Sequence, residues 1–248
     1  MTAFMMKKLI FFATYNEAGN VASLIRGIRK AEQNADILIV DDSSTDGTLE
    51  ILQGMKSKTL ELIVRPSKSG VGSAHLLALK FAIDHSYDVL VTMDGDLSHD
   101  PADIPRLISG IEDGYDFVIG SRYAPGGACD YTGYRKYLSL LGNYAARQLL
   151  RINLYEFTTS LRAFNVKNLG KIDFSTINVC GYSFFLTMVV RAHLAKFNFF
   201  EIPIHFYERN SGASKIPTFE IIRGIKQLLY LWYVKTFRPE KTNKIPSP

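Results

Sequence analysis

Cysteine is scarce in this chain. Cys129 and Cys180 are the only two, and they form neither a CxxC pair nor a zinc-ligand spacing. A disulfide scaffold and a cysteine-based zinc module are thereby excluded, and the thiols read as free, partly buried groups in a reducing compartment. Long apolar runs are also missing. No stretch of 18 apolar residues occurs, so no transmembrane helix is expected. The nearest approach, residues 174–190, lacks charge but is broken by Ser175, Thr176, Asn178, Gly181, Ser183 and Thr187. The early run at 9–13 is too short for a signal peptide and reads as a first strand. Neither sign of charge dominates: 29 Lys and Arg against 24 Asp and Glu leave +5 over 248 residues, with the basic residues scattered along the chain. Such an excess suits phosphate-rich ligands or an anionic membrane face. Without a basic stripe interleaved with aromatics, nucleic acid is not an expected partner. Five histidines form no cluster, and no G-x-S-x-G is present, which removes a histidine-based zinc site and a serine hydrolase.

What is present is a folded composition, 47% hydrophobic and 21% charged. Short apolar runs at 8–13, 37–40, 60–64, 89–93 and 117–119 read as strands. Between them, Val21, Leu24, Ile25 and Ile28, then Leu49 and Leu52, then residues 74–83, then Ile104, Leu107, Ile108 and Ile111 recur at helical spacing. This alternation predicts an α/β fold, a mostly parallel central sheet with helices on both faces. The second half predicts a helix at 137–150, a strand within 199–207 and an amphipathic helix at 219–232. In that last helix Phe219, Ile222, Ile225, Leu229 and Trp232 share one face. We expect one domain over 1–238, with a nucleotide-binding half to about 123 and an acceptor-side half after it; 239–248 reads as a disordered tail.

Polar clusters follow the strands: Thr14-Tyr15-Asn16-Glu17, Asp41-Asp42 and Asp94-Gly95-Asp96. In a parallel sheet these meet at the carboxyl edge, where ligands bind. Two carboxylates split by glycine can turn their oxygens toward one hard cation, Mg²⁺ or Mn²⁺, which commonly also holds substrate phosphates. Among Asp41, Asp42 and Asp46 at least one is expected to cap a turn rather than bind. Residues 68–74 resemble a phosphate-cradling loop without the closing Gly-Lys-Ser/Thr of a Walker sequence. Gly120-Ser121-Arg122-Tyr123, Arg135, Arg162, Arg209 and Lys215 supply cations suited to phosphate. His99 reads as a supporting residue rather than a base, and His75 and His193 as packing or surface residues.

In this order, Thr14-Tyr15-Asn16-Glu17, Asp41-Asp42, Asp94-Gly95-Asp96 and Gly120-Ser121-Arg122-Tyr123 resemble the family 2 glycosyltransferases. Asp96-Leu97-Ser98-His99-Asp100-Pro101, Thr159-Ser160-Leu161-Arg162, Gly181-Tyr182-Ser183-Phe184 and Ile202-Pro203-Ile204-His205-Phe206 with Arg209 and Gly212-Ala213-Ser214-Lys215 are similar to the polyprenyl-phosphate (dolichyl-phosphate) mannosyl and glucosyl synthases. The resemblance spans about residues 8–235. It implies a GT-A type nucleotide-diphospho-sugar transferase fold. It further implies an inverting transfer of mannose or glucose from GDP-mannose or UDP-glucose to a polyprenyl or dolichyl phosphate, at the cytoplasmic face of a membrane to which the protein is peripherally bound, a membrane-embedded partner being the alternative means of recruitment. By motif position, Thr14, Tyr15, Glu17, Asp42 and Asp94 match nucleotide contacts; Asp94, Asp96 and Ser98 match a Mg²⁺ or Mn²⁺ site. Arg122, Arg135, Ser139, Arg162, Arg209 and Lys215 match phosphate or acceptor residues, and Asp94, Asp96, Arg122, Arg209 and Lys215 the catalytic group. The chain departs from the pattern at Thr187, where relatives carry an acidic residue, and at Leu140, where an arginine is common. An alternative implied reaction, transfer to a sugar hydroxyl, wants a carboxylate base, for which Glu156 is the available candidate. The remaining alternative is a nucleotide-binding relative without turnover.

Overall fold

The computed structural model describes residues 6–174, 177, 181, 183–208 and 218–237. Among these the strands are β1 Lys8–Thr14, β2 Asp36–Asp41, β3 Leu60–Val64, β4 Val89–Asp94, β5 Phe117–Ser121, β6 Ala128–Cys129, β7 Arg162–Asn165, β8 Phe199–Pro203 and β9 His205–Phe206. The helices are α1 Val21–Ala31, α2 Thr48–Gly54, α3 Val71–Asp84, α4 Ile104–Glu112, α5 Gly133–Leu150, α6 Val166–Leu169, α7 Ser183–Leu194 and α8 Thr218–Phe237. Seven strands form one sheet in the order β3-β2-β1-β4-β7-β5-β8, and β6 pairs with β9 in a small second ladder. β1 is parallel to both β2 and β4, and β2 to β3; β7 runs antiparallel to β4 and β5, and β8 parallel to β5. The carboxyl ends of β1, β2, β4, β5 and β8 therefore share one edge.

Side-chain alternation explains why the strands are apolar on both faces. Leu9 and Phe11 of β1, with Leu38 and Val40 of β2, join one core with α3, α7 and the ends of α5 and α8. Ile10 and Phe12, with Ile37 and Ile39, join the other core with α1 and α4. The helical residues expected to face inward do so: Val21, Leu24, Ile25 and Ile28 in α1, and Ile104, Leu107, Ile108 and Ile111 in α4, are buried. β7 and α7 were not anticipated from the sequence. β7 is four residues long, and α7 is apolar nearly all round, with ten buried residues in succession from Ser183 to Ala192, so neither shows a period. The strand expected within 199–207 is β8, and β9 follows it in a different ladder.

The α8 stripe divides: Trp232 packs partly buried against the core, and the Phe219 side chain lies outside the described residues. Ile222, Ile225 and Leu229 are about half exposed, while Leu231 and Val234 are buried. Thr187 explains part of the seating: its hydroxyl donates to the Ser183 carbonyl (3.0 Å) and accepts from Gln227 Nε2 of α8 (3.0 Å), a buried polar tie between α7 and α8. Among the described residues no helix is long and apolar enough to cross a membrane. Cys129 is a free thiol, and Cys180 lies outside the described residues.

Candidate active site

The site is assembled at the shared strand edge. Register pairs Thr14 of β1 with Asp41 of β2, and Ala13 with Asp94 of β4. With neighbouring strands about 4.8 Å apart, the ends of β2, β1 and β4 sit within about 10 Å of one another. The first turns are knitted together. Asp41 is fully buried and accepts from Thr14 Oγ1 (2.7 Å), Ser44 N (2.8 Å) and Ser44 Oγ (2.6 Å). Asn16, at φ 59°, donates its N–H to Ser44 Oγ (2.9 Å) and accepts from Thr45 N (2.9 Å). Glu17 accepts from Asn20 Nδ2 (2.6 Å), and its N–H donates to Thr48 Oγ1 (2.9 Å). Asp46 accepts from the N–H groups of Ala18 (3.0 Å) and Thr48 (3.1 Å), so Asp41 and Asp46 are the turn-forming aspartates of the three.

Asp42 lies beside them, its N–H donating to the Thr14 carbonyl (3.0 Å). Its carboxylate accepts from Arg65 Nε and Ser69 N, and Arg65 also reaches Ser73 Oγ (2.6 Å) and the Gly70 carbonyl (3.1 Å). Arg65 thus ties the 65–73 loop to the β2 end, a role not anticipated for it from the sequence. Tyr15 is exposed, with Lys68 Nζ 3.9 Å above its ring.

The Asp94-Gly95-Asp96 turn needs its glycine. A Cβ on Gly95 would come within 2.6 Å of the Ala13 carbonyl oxygen, backbone that cannot swing away. Asp96 is buried, and its Oδ1 accepts from Ser98 N (3.0 Å) across Leu97, which is held at φ 64°. The Ser98 hydroxyl is buried and has no hydrogen-bond partner among the described residues. Two carboxylates and this hydroxyl are hard oxygen donors, the set that suits Mg²⁺ or Mn²⁺. No group of three His, Cys, Asp or Glu able to hold a metal occurs among the described residues. We expect Gly95→Ala to lower stability by about 1–3 kcal/mol, read as a urea midpoint shift, and to weaken turnover beyond what that loss explains.

His99 backs this turn. It is buried; its Nδ1 accepts from Asp94 N (3.2 Å) and its Nε2 lies 3.4 Å from Thr159 Oγ1. Burial pushes its pKa down to about 4 against the opposing pull of Asp96, so the ring is neutral and serves as a support. His75 is likewise a packing residue, its ring edge-on to Phe11 and Phe185.

Arg122, expected at a phosphate, follows β5 and is buried in a fork with Glu156: Nε to Oε2 (2.7 Å) and Nη2 to Oε1 (2.9 Å), with Nη2 also reaching Thr158 Oγ1 (2.9 Å). Burial pushes the Glu156 carboxyl up, but the Arg122 charge and the bonds from Arg122 and Thr158 outweigh it and hold the group below its usual pKa. Glu156 is therefore a locked counter-ion, which corrects its candidacy as a base. Glu201 of β8 accepts from Tyr155 N (2.8 Å) and Glu156 N (2.9 Å), fixing the segment beneath the pair; the sequence offered no sign of this. Arg162, also expected at a phosphate, is built into the core instead: it is 1% exposed and donates to the carbonyls of Thr159 (2.7 Å), Phe185 (2.9 Å) and Phe157 (2.8 Å). Arg135 and Ser139 stand half-buried on α5. Arg209 and Lys215 lie outside the described residues.

Comparison with known proteins gives the family. Residues 9–173 match Glycosyl transferase family 2. A polyprenol monophosphomannose synthase of Mycolicibacterium smegmatis is 35% identical over 214 residues, 85% of this chain and 81% of the relative. An undecaprenyl-phosphate mannosyltransferase of Micrococcus luteus is 36% identical over 215 residues, 85% of this chain and 88% of the relative. Among solved structures, glucosyl-3-phosphoglycerate synthase from Mycobacterium tuberculosis in complex with Mn²⁺, UDP and phosphoglyceric acid superposes with a TM-score of 0.66 at 17% identity, covering 98% of this chain and 80% of that one, a likeness of fold. A nucleotide-sugar-dependent glycosyltransferase with a GT-A-like fold, the chain belongs to glycosyltransferase family 2 and is related to its polyprenyl-phosphate sugar transferases.

Proposed function

We propose that the chain transfers mannose or glucose from GDP-mannose or UDP-glucose to a polyprenyl or dolichyl phosphate at a membrane surface. Besides the two relatives, one observation carries this reading: the outer face made by α5 and α8. Tyr134, Tyr137, Leu141 and Tyr144 on α5, and Ile225 and Leu229 on α8, are all at least half exposed. α5 holds three Arg and Lys and no Asp or Glu; α8 holds three against one Glu. Together they carry a formal +5. Tyrosine, leucine and isoleucine flanked by lysine and arginine suit an anionic bilayer interface.

On this reading the edge residues at Thr14, Tyr15, Glu17 and Asp42 take the nucleoside, and Asp94, Asp96 and Ser98 would hold Mg²⁺ or Mn²⁺. When bound, the cation supplies positive charge to the departing diphosphate. The acceptor phosphate oxygen attacks the anomeric carbon as the carbon–oxygen bond to the nucleoside diphosphate breaks, with inversion. That phosphate is already anionic, so no proton must be removed and no base is needed. Glu156, locked in its fork, fits this chemistry and disfavours transfer to a sugar hydroxyl. Arg122, together with Arg135, Arg209 and Lys215, supplies charge on the acceptor side.

The test is direct. Purified protein, Mn²⁺ or Mg²⁺, each labelled nucleotide-sugar and polyprenyl phosphate in detergent should move label into the solvent-extractable lipid. Transfer to a glycan hydroxyl in place of the lipid phosphate would overturn the acceptor assignment. Thermal shift against GDP and UDP separates the donors, since a ligand at 100 times its Kd adds about 2.7 kcal/mol to the native state.

A further inference from the structure

β9 is two residues long, yet it joins two parts of the site. On one side it pairs with β6, Ala128 opposite His205 and Cys129 opposite Phe206. On the other, Phe206 forms an antiparallel bridge with His99, and the Tyr207 N–H donates to the Ser98 carbonyl (3.0 Å). The buried Phe206 ring stands edge-on to His99, with centroids 5.1 Å apart, and lies 5.2 Å from the Arg122 guanidinium. β9 therefore backs the turn that carries Asp96 and Ser98. That turn needs a backing. Leu97, between the two, sits at φ 64°, a conformation that a non-glycine residue keeps only where its surroundings impose it. A ladder of two residues imposes little by itself.

One residue brackets β9 from outside. Asp130, just past β6, donates its N–H to the Phe206 carbonyl (3.0 Å). Its carboxylate accepts from His205 Nε2 (2.6 Å) and from Glu208 N (3.3 Å), so its contacts reach both ends of the strand. The Tyr207 ring stacks on the His205 ring, 4.3 Å between centroids and 21° between planes, which fixes the imidazole with Nε2 toward the carboxylate. The hydrogen bond from His205 holds the Asp130 carboxyl below its usual pKa. Both side chains are exposed, 45% for His205 and 40% for Asp130, and a pair so exposed adds little to global stability. Its effect is local. We propose that Asp130 and His205 are positioning residues, a clip that keeps β9 seated on the 96–98 turn so that Asp96 and Ser98 converge on one divalent cation. The purpose of the clip rests on the metal reading above; its grip on the turn does not.

The test separates position from stability. Asp130→Ala and His205→Ala should each leave Tm within about 2 °C of wild type. In the metal-free protein, hydrogen exchange at the Tyr207 amide should quicken about fivefold in each, with the amides of β1 unchanged. The Mn²⁺ concentration that gives half of the Tm gain with UDP or GDP should rise about threefold, and KM for polyprenyl phosphate should stay the same. His205→Gln, whose Nε2 can still donate to Asp130, should restore most of both effects. An unchanged Tyr207 exchange rate would overturn the clip. Faster exchange with an unchanged Mn²⁺ requirement would overturn its positioning role, as would a glutamine variant no better than alanine. Wild type that takes up no Mn²⁺ with either nucleotide would sink the metal reading, and the exchange rates would still decide whether the clip holds the turn.

Discussion

Asp96→Asn is expected to cut sugar transfer by about a thousandfold while the chain stays folded. Asparagine has the same shape, and its Oδ1 can keep accepting the Ser98 N–H that closes the turn across Leu97. What it loses is the negative charge, on a side chain that is only 3% exposed and next in the turn to the Ser98 hydroxyl, which has no hydrogen-bond partner among the described residues. A hard divalent cation binds carboxylate oxygen far better than amide oxygen. The charge that would offset the departing diphosphate is then missing, and a thousandfold corresponds to about 4 kcal/mol of transition-state stabilisation. Two measurements belong together: kcat for the variant under saturating Mn²⁺, and the Tm gain from UDP or GDP with Mn²⁺ over nucleotide alone. Both should collapse, and Tm without ligand should stay within a few degrees of wild type. Turnover within tenfold of wild type, insensitive to a chelator, would show that the Asp94-Gly95-Asp96 turn does not carry the reaction.

The residues that made this turn legible from sequence are those set by local rules. β1, β2, β4 and β5 are short apolar runs closed by polar residues, and their ends fall where the pattern places them, at Thr14, Asp41, Asp94 and Ser121. A parallel sheet does the rest, because its carboxyl ends are obliged to share an edge. The second half resists the same treatment. β7 enters the sheet between β4 and β5 although it follows both in the chain, and its four residues carry no periodicity. The partners of Arg122 and Arg162 could not be read at all. Glu156 lies 34 residues from Arg122, and the Arg162 guanidinium finds three carbonyls, groups that every residue has. A hydrophobic stripe also carries no sign of inside or outside. In α8 it is Leu231 and Val234 that enter the core, while Ile222, Ile225 and Leu229 face out. The same ambiguity holds for α5, expected as a helix at 137–150: Tyr134, Tyr137, Leu141 and Tyr144 are exposed, while Ala146 and Leu150 enter the core.

Breaking the Arg122–Glu156 fork is the second large effect. Glu156 is fully buried and Arg122 nearly so, and Glu156→Ala would leave the guanidinium desolvated without its counter-charge. Removing one member of a buried pair costs about 3–5 kcal/mol. For a chain of this size that is a Tm loss on the order of 10 °C. The effect has a pH signature. Because the Glu156 pKa is held below its unfolded value, its contribution is fully present above the ordinary glutamate range; it fades as pH falls and is lost once pH passes the folded-state pKa. Wild type should therefore lose stability more steeply than Glu156→Gln between about pH 5 and pH 3, as read by urea midpoints. The double change Arg122→Met/Glu156→Leu should be more stable than either single change, since no charge is stranded. Its activity then separates two roles for the pair: recovery of turnover with recovery of fold would make Arg122 purely architectural. Recovery of fold alone would assign its charge to the phosphates, as the acceptor-side reading requires.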